Sequence, residues 1–335
     1  MMISGLDQIH IMCVHQIWSG DIMKLYIEGK REPWDTSPNQ LWYASKNFGG
    51  EIDIVTSPDN ADVKMYTYYN HILAWINPHN VDVLFIESLD ENDMEEFKKD
   101  FNCFVNCKLV LVESPELQDM INELNILDKS KISIWNKPTR VNESFIPINN
   151  NERTNDFVIV CNASRYPDKL AEVVKTYFAM CLKDVPDGED GELIEVNSVD
   201  IFSAQELPFE VFNNIRFNGL QPNPIVIKTI ARASLLISPY NGNGVPQSVV
   251  DALLLNTPVL IRDTKTNREI FHFLNERCFY KTEKDLAKGI SYFMDHSKED
   301  FYSSNAVESL LKFKPSVAYI QLYKIIMGEF KTNDR

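Results

Sequence analysis

A chain of 335 residues exceeds what one core ordinarily fills and suits two domains. Its 44% hydrophobic and 24% charged residues are those of an ordinary globular protein, and a formal net charge of −15 disfavours a partner held mainly by phosphate charge, such as duplex DNA, while leaving room for a local basic cleft. No apolar run reaches the ~18 residues that span a bilayer and no charged-then-apolar leader opens the chain, so it reads as soluble and cytoplasmic.

In chain order, residues 9–14 read as a first buried strand, ending in the loop His15-Gln16-Ile17-Trp18-Ser19-Gly20-Asp21. Ligands gather at the carboxyl ends of strands in open parallel sheets, which makes His15 a candidate for catalysis or acceptor binding. The single glycine of this loop matches no dinucleotide fingerprint. A short helix over 40–47 is stopped by Gly49-Gly50, and a strand follows at 52–56. Residues 66–76 are expected to be helical, with Tyr66, Tyr68, Tyr69 and Trp75 serving mainly in packing. The strand 82–86 ends at Glu87, a second candidate. The acidic run 90–96 reads as a solvated helix start, 108–112 as a strand followed by Glu113-Ser114, 116–124 as a helix and 131–135 as the last strand of this half. Strands alternating with helices on this scale define an α/β protein with parallel sheets.

The polar stretch 147–156 reads as a linker, dividing domains at 1–150 and 151–335. The second half restarts with a strand at 157–161, a loop carrying Arg165 and Lys169, and a helix to 181. An acidic surface loop (184–192), a strand near 193–199, a helix near 208–213, a strand at 215–217 leading to Gly219, and a helix at 225–233 come next. Leu235-Leu236-Ile237 is then a buried strand, followed by the loop Tyr240-Asn241-Gly242-Asn243-Gly244-Val245-Pro246. The helix beyond it shows an apolar face of Val249, Val250, Ala252, Leu253 and Leu254, and 258–261 is a further strand. Pro246 falls where a first helical turn tolerates the missing amide hydrogen. Strand, glycine-bearing loop and helix N-terminus together aim free backbone N–H groups at whatever enters the loop, and anions suit them best. A strand at 278–280, a helix at 283–294 and a helical region at 302–329 complete the pattern.

Of six cysteines only Cys103 and Cys107 are close, with no second pair or nearby histidine, so reduced thiols are expected and no zinc site. His71, His79, His272 and His296 show no ligand spacing.

Two such halves, joined by a linker and closed by a terminal helix, resemble the GT-B fold of nucleotide-sugar glycosyltransferases, in which two Rossmann-like domains face each other across a cleft. The second half is similar to glycosyltransferase family 4, whose hallmark is two acidic residues separated by seven positions around a glycine-bearing loop and helix. Asn243-Gly244-Val245-Pro246-Gln247-Ser248-Val249-Val250-Asp251-Ala252 matches that spacing, Asn256-Thr257-Pro258-Val259-Leu260 resembles the strand that follows, and Asn267-Arg268-Glu269-Ile270 resembles the next helix start. The segment 131–147 looks like the end of the family's first domain. The resemblance covers 155–330, more loosely 80–147, and is weakest over 1–80.

It implies a retaining, metal-independent transferase with no cofactor, a nucleotide-diphosphate sugar as donor and a glycan or other hydroxyl as acceptor. Arg165 and Lys169 would hold the donor diphosphate together with the amides of Gly242, Gly244 and Val245, and Gly219 would flank the base. Asp251 would bind a ribose diol, and Asn243 stands where the family has a carboxylate, keeping an acceptor and adding a donor. An aspartate inside a helix also asks for a reason of its own, being a poor helix former. Because of Asn243, a relative that binds without catalysis is a rival reading, as is a transferase acting on hydroxylated DNA bases, against which the acidic charge argues.

Overall fold

The computed structural model describes residues 22–28, 52–68, 78–89, 93–141, 157–160, 167–183, 198–203, 215–296 and 306–331. The expected strand at 9–14, the helices at 40–47 and 208–213, and the linker at 147–156 lie outside them. Twelve strands in these segments form two parallel sheets of six.

The first sheet has the order β2-β1-β3-β4-β5-β6, from β1 (Met23–Glu28), β2 (Ile52–Val55), β3 (Val63–Tyr68), β4 (Val83–Ile86), β5 (Leu109–Val112) and β6 (Ile132–Ile134). Strands β4 and β5 are apolar throughout because both of their faces are covered. Alternation along each strand sends Val83 and Phe85 of β4, and Leu109 and Leu111 of β5, to one face, where they pack on Tyr319, Leu322, Tyr323 and Ile326. Leu84, Ile86, Val110 and Val112 go to the other, against Phe97, Phe101, Leu117 and Ile121 of the helices α1 (Met94–Phe101) and α2 (Pro115–Glu123). Ser114 caps α2 by accepting the Leu117 N–H at 3.1 Å, and a proline opens the helix.

The second sheet runs β12-β11-β10-β7-β8-β9, from β7 (Phe157–Val160), β8 (Val199–Phe202), β9 (Ile215–Phe217), β10 (Leu235–Ser238), β11 (Val259–Arg262) and β12 (Phe279–Tyr280). Around it lie α3 (Pro167–Lys183), α4 (Asn223–Arg232), α5 (Gln247–Leu254), α6 (Lys265–Ile270), α7 (Glu283–His296) and α8 (Ala306–Leu311). The last helix, α9 (Pro315–Lys331), belongs to the first sheet instead and supplies Tyr319, Leu322, Tyr323 and Ile326 to its core. Trp135 Nε1 donates to Ala318 O at 2.9 Å, and the Tyr319 hydroxyl accepts from Ile52 N at 2.6 Å and donates to Ile52 O at 3.0 Å, so α9 is sewn to the edge strand β2. No helix among the described residues is long and apolar enough to cross a membrane.

Several expectations change. Tyr66 and Tyr68 lie on β3 rather than in a helix, buried at 4% exposure each; β-branched and aromatic residues suit a pleated, covered surface better than a helix. Strand β1 was not expected. Of the strand foreseen near 193–199, residues 193–197 lie outside the described residues, and β8 covers Val199–Phe202. Pro246 sits at the cap of α5 rather than inside its first turn. α6 begins at Lys265, two residues before the expected start, because Thr264 accepts the Asn267 N–H at 3.1 Å. The C-terminal helical region is broken ahead of Pro315 into α8 and α9. Burial pushes the Cys107 and Cys278 thiols up to about 11 and about 12, as expected of inert packing residues.

Candidate functional site

In the second sheet, β7 is flanked by β10 on one side and β8 on the other, and both pairings are parallel. The chain therefore leaves β7 and β10 in opposite directions. Their carboxyl ends flank a topological switch point, the place where open α/β sheets accept ligands. The loop after β7 leads to Lys169 on α3, and the loop after β10 is Tyr240 to Pro246, so the two segments singled out in the sequence start from neighbouring strands. Arg165 and His15 lie outside the described residues. Lys169 is partly exposed, with Nζ 3.4 Å from Glu172 Oε2, and Glu172 also receives Arg262 Nη1 at 3.1 Å. Gly219 has φ +64°, a left-handed conformation that glycine adopts without strain, and nothing stands within 4 Å of where a Cβ would be.

The loop itself is engaged with the first sheet. Asn241 is exposed, but Gly242, Gly244, Val245 and Pro246 are buried. The Asn243 side chain acts as a surrogate peptide: its Oδ1 accepts Leu89 N at 3.1 Å while its Nδ2 donates to Leu89 O and approaches Met120 Sδ at 3.0 Å. Its carbonyl oxygen accepts the Ser114 hydroxyl. The Gly244 N–H donates to the Tyr240 hydroxyl at 3.1 Å, and the Val245 N–H donates to Glu113 Oε2 at 2.9 Å. A Cβ on Gly244 would fall 2.0 Å from the Glu87 carbonyl oxygen and 3.1 Å from Glu113 Oε2, so only glycine fits.

Glu87, foreseen as a strand-end acid, shares a lysine with Glu113. Lys137 Nζ lies 3.1 Å from Glu87 Oε1 and 3.2 Å from Glu113 Oε1. Burial raises Glu113 to about 7; the Lys137 charge and the Val245 N–H oppose the rise, and the Glu87 charge adds to it.

Asp251 is fully buried, and its carboxylate faces the segment after β6 rather than an open crevice. Oδ1 accepts the Thr139 hydroxyl at 2.5 Å and the Arg140 N–H at 3.0 Å, and Oδ2 accepts Arg140 Nε at 2.6 Å. That set explains an aspartate inside a helix better than helix propensity does, since a buried carboxylate is tolerable only when paired and hydrogen-bonded.

Sequence reasoning did not single out Glu113, Lys137, Thr139, Arg140 or Arg262. The available signal was position: Glu113 and Arg262 stand at or just past strand ends, and the other three lie in the segment closing the first half. The buried Ser238 Oγ, both amide atoms of Gln247 and Asn267 Oδ1 have no hydrogen-bond partner among the described residues. They stand at the end of β10, the start of α5 and on α6, around the carboxyl edge of β10 and β11. Among the described residues no group of three or more His, Cys, Asp or Glu side chains is placed to hold a metal ion.

No family model and no curated protein matches the sequence. The fold does have counterparts. Sucrose-phosphate synthase from Thermosynechococcus elongatus superposes with a TM-score of 0.61 at 12% identity, over 93% of this chain and 100% of that one. HepE of Anabaena, solved with UDP and glucose, gives 0.58 at 12% identity over 91% and 99%. The lipopolysaccharide outer core galactosyltransferase WaaB gives 0.51 at 11% identity over 91% and 99%. These neighbours are GT-B glycosyltransferases, and at such identities the likeness is one of fold.

Proposed function

We propose that this chain is a family 4-like glycosyltransferase that moves a sugar from a nucleotide-diphosphate sugar to a hydroxyl, with retention and without a metal, in a reducing, cytoplasm-like compartment. The observation that supports the reading is the switch point between β7 and β10: Lys169 comes on the helix after β7 and the Tyr240–Pro246 loop after β10, which are neighbouring strands of one sheet. HepE, of the same fold, was solved with UDP and glucose bound. The two sheets would be the cores of two domains, with the acceptor lying against the first.

Glycosyl transfer places negative charge on a departing diphosphate, and fixed positive potential stabilises that charge as it forms. Lys169 and Arg165 supply it from side chains, and the start of α5 from its amides and dipole. Ser238, Gln247 and Asn267 offer buried polar atoms without partners among the described residues, which suit the hydroxyls of a sugar. Asn243 and Asp251 take a different part from the one their spacing implies. Their polar atoms are already used in joining the loop and α5 to the first half, so we assign them to holding the two halves together.

The test is turnover of a panel of nucleotide sugars by wild type, Lys169→Ala and Arg165→Ala. Wild type should hydrolyse or transfer at least one donor, and either variant should lose most of that rate. Equal behaviour of all three ends the proposal. The engagement of Asn243 and Asp251 favours one rival, a protein that binds nucleotide sugars without turning them over; tight binding with no turnover across the panel would establish it.

A further inference from the structure

The amides of Gly244 and Val245, just ahead of α5, are free in the sequence reading and taken in the structure. Val245 N–H is bonded to the Glu113 carboxylate at 2.9 Å and Gly244 N–H to the Tyr240 hydroxyl at 3.1 Å, with both residues buried. The Glu87 carbonyl oxygen lies so near Gly244 that even a methyl group has no room. A phosphate, far larger, cannot reach these amides while the first sheet stands against the loop.

The occupant is itself an anion. Glu113 follows β5, and the charged and polar groups facing it come from three other places: Glu87 after β4 and Lys137 after β6, joined through the lysine, and the Tyr240 hydroxyl, which borders the same Gly244 pocket. Two carboxylates on one ammonium leave the cluster with an excess negative charge when both are ionised, which would repel a diphosphate arriving at the same loop. The two sheets also have separate apolar clusters among the described residues, and the loop is held to the first sheet by hydrogen bonds. Polar junctions of this kind permit relative movement of the parts they join.

We propose that Glu113 is a built-in anion that closes the loop after β10, and that a diphosphate-bearing ligand takes the Val245 amide only as this loop parts from the first sheet and the carboxylate withdraws. This rests on the donor reading above for the identity of the ligand, but the contact it concerns is independent of that reading. Glu113 is then a positioning and autoinhibitory residue, not one that touches a sugar.

The experiment uses the full-length chain as wild type, Glu113→Gln and Glu113→Leu. Hydrogen exchange is followed in the peptide covering residues 240–250 and in the strand peptides 83–86 and 109–112, and binding of inorganic pyrophosphate and of UDP is measured by calorimetry. Glu113→Leu removes the acceptor, so the loop peptide should exchange about tenfold faster, the size expected for losing one charged hydrogen bond, while the strand peptides keep their protection and report an intact fold. Pyrophosphate binding should strengthen several-fold in Glu113→Leu and to a lesser degree in Glu113→Gln, which keeps an acceptor but loses the charge. Unchanged loop exchange overturns the proposal, as does faster exchange with unchanged pyrophosphate affinity. Strengthened pyrophosphate binding in a chain that turns over no nucleotide sugar upholds the displacement and ends the donor reading.

Discussion

Two ionic clusters are built on one short segment after β6, one joining the halves directly and one lying within the first half and touching the second through the Val245 N–H, and they follow opposite arithmetic. In the first, Arg140 meets Asp251, and the Thr139 hydroxyl and the Arg140 amide complete the carboxylate's shell. One cation faces one anion, and both carboxylate oxygens are bonded. In the second, Lys137 serves Glu87 and Glu113 together, and Glu113 is raised to about 7 by burial and by its acidic neighbour. The first tie is balanced and suits a permanent joint; the second carries surplus charge and suits a contact that gives way. Their placement agrees with this division. Asp251 lies inside α5, whereas Glu113 touches the loop ahead of it, where a ligand would arrive.

The largest effect should come from breaking the balanced tie. Asp251→Ala leaves Arg140 buried and unpaired, and removing one partner of such a pair costs about 3–5 kcal/mol; urea denaturation should show a loss of unfolding free energy of that size. A loss below about 1 kcal/mol would mean that Arg140 finds water and that the joint is not closed. Gly244→Ala comes next. Its Cβ has no place beside the Glu87 carbonyl, so overpacking should cost about 1–3 kcal/mol, and loop exchange should speed up as the loop is pushed off the first sheet.

The surplus-charge tie should respond to pH with a defined sign. A carboxyl whose folded value is raised from 4.5 to about 7 contributes stability below the lower value and loses it as pH rises to the upper one. Wild-type stability should therefore fall through that window by up to roughly 1 kcal/mol per pH unit from this group. Glu113→Gln should lack this component, so the variant gains on wild type toward pH 8; parallel pH–stability curves would remove Glu113 from the account. The smallest stability change belongs to Lys169→Ala. Its ion pair with Glu172 is partly exposed and worth under about 1 kcal/mol, so its melting temperature should barely move while donor affinity falls. A variant that unfolds instead would recast Lys169 as structural.

Much of the scaffold was legible because its strands are short apolar runs at regular spacing: β4, β5, β7, β10 and β11 fall within a residue or so of where periodicity puts them. Tyr66 to Tyr68 were misread because an aromatic run satisfies a helix and a covered strand alike. The loop after β10 was legible as a loop of consequence, but its partners were not. Glu113 is 132 residues from Val245 and Thr139 is 112 from Asp251, and no local pattern encodes such pairings. The sequence marked Asp251 as a residue needing an explanation. The explanation lay in Arg140, which the sequence did not mark.

The stitching of α9 to β2 has a bearing on how the chain is made. One face of the first sheet, with Leu25, Phe85 and Leu111, is covered among the described residues chiefly by Tyr319, Leu322, Tyr323 and Ile326. At ribosomal speeds of roughly 5–20 residues per second, that face emerges on the order of ten seconds or more before the helix that covers it. The second sheet is less dependent on a late segment: its strands and the helices α3 to α8 that share its apolar cluster come off the ribosome as one continuous stretch. Of the two sheets, the one made earlier is therefore the one whose cluster is completed later, and a nascent chain arrested before residue 315 should be the one that chaperones hold.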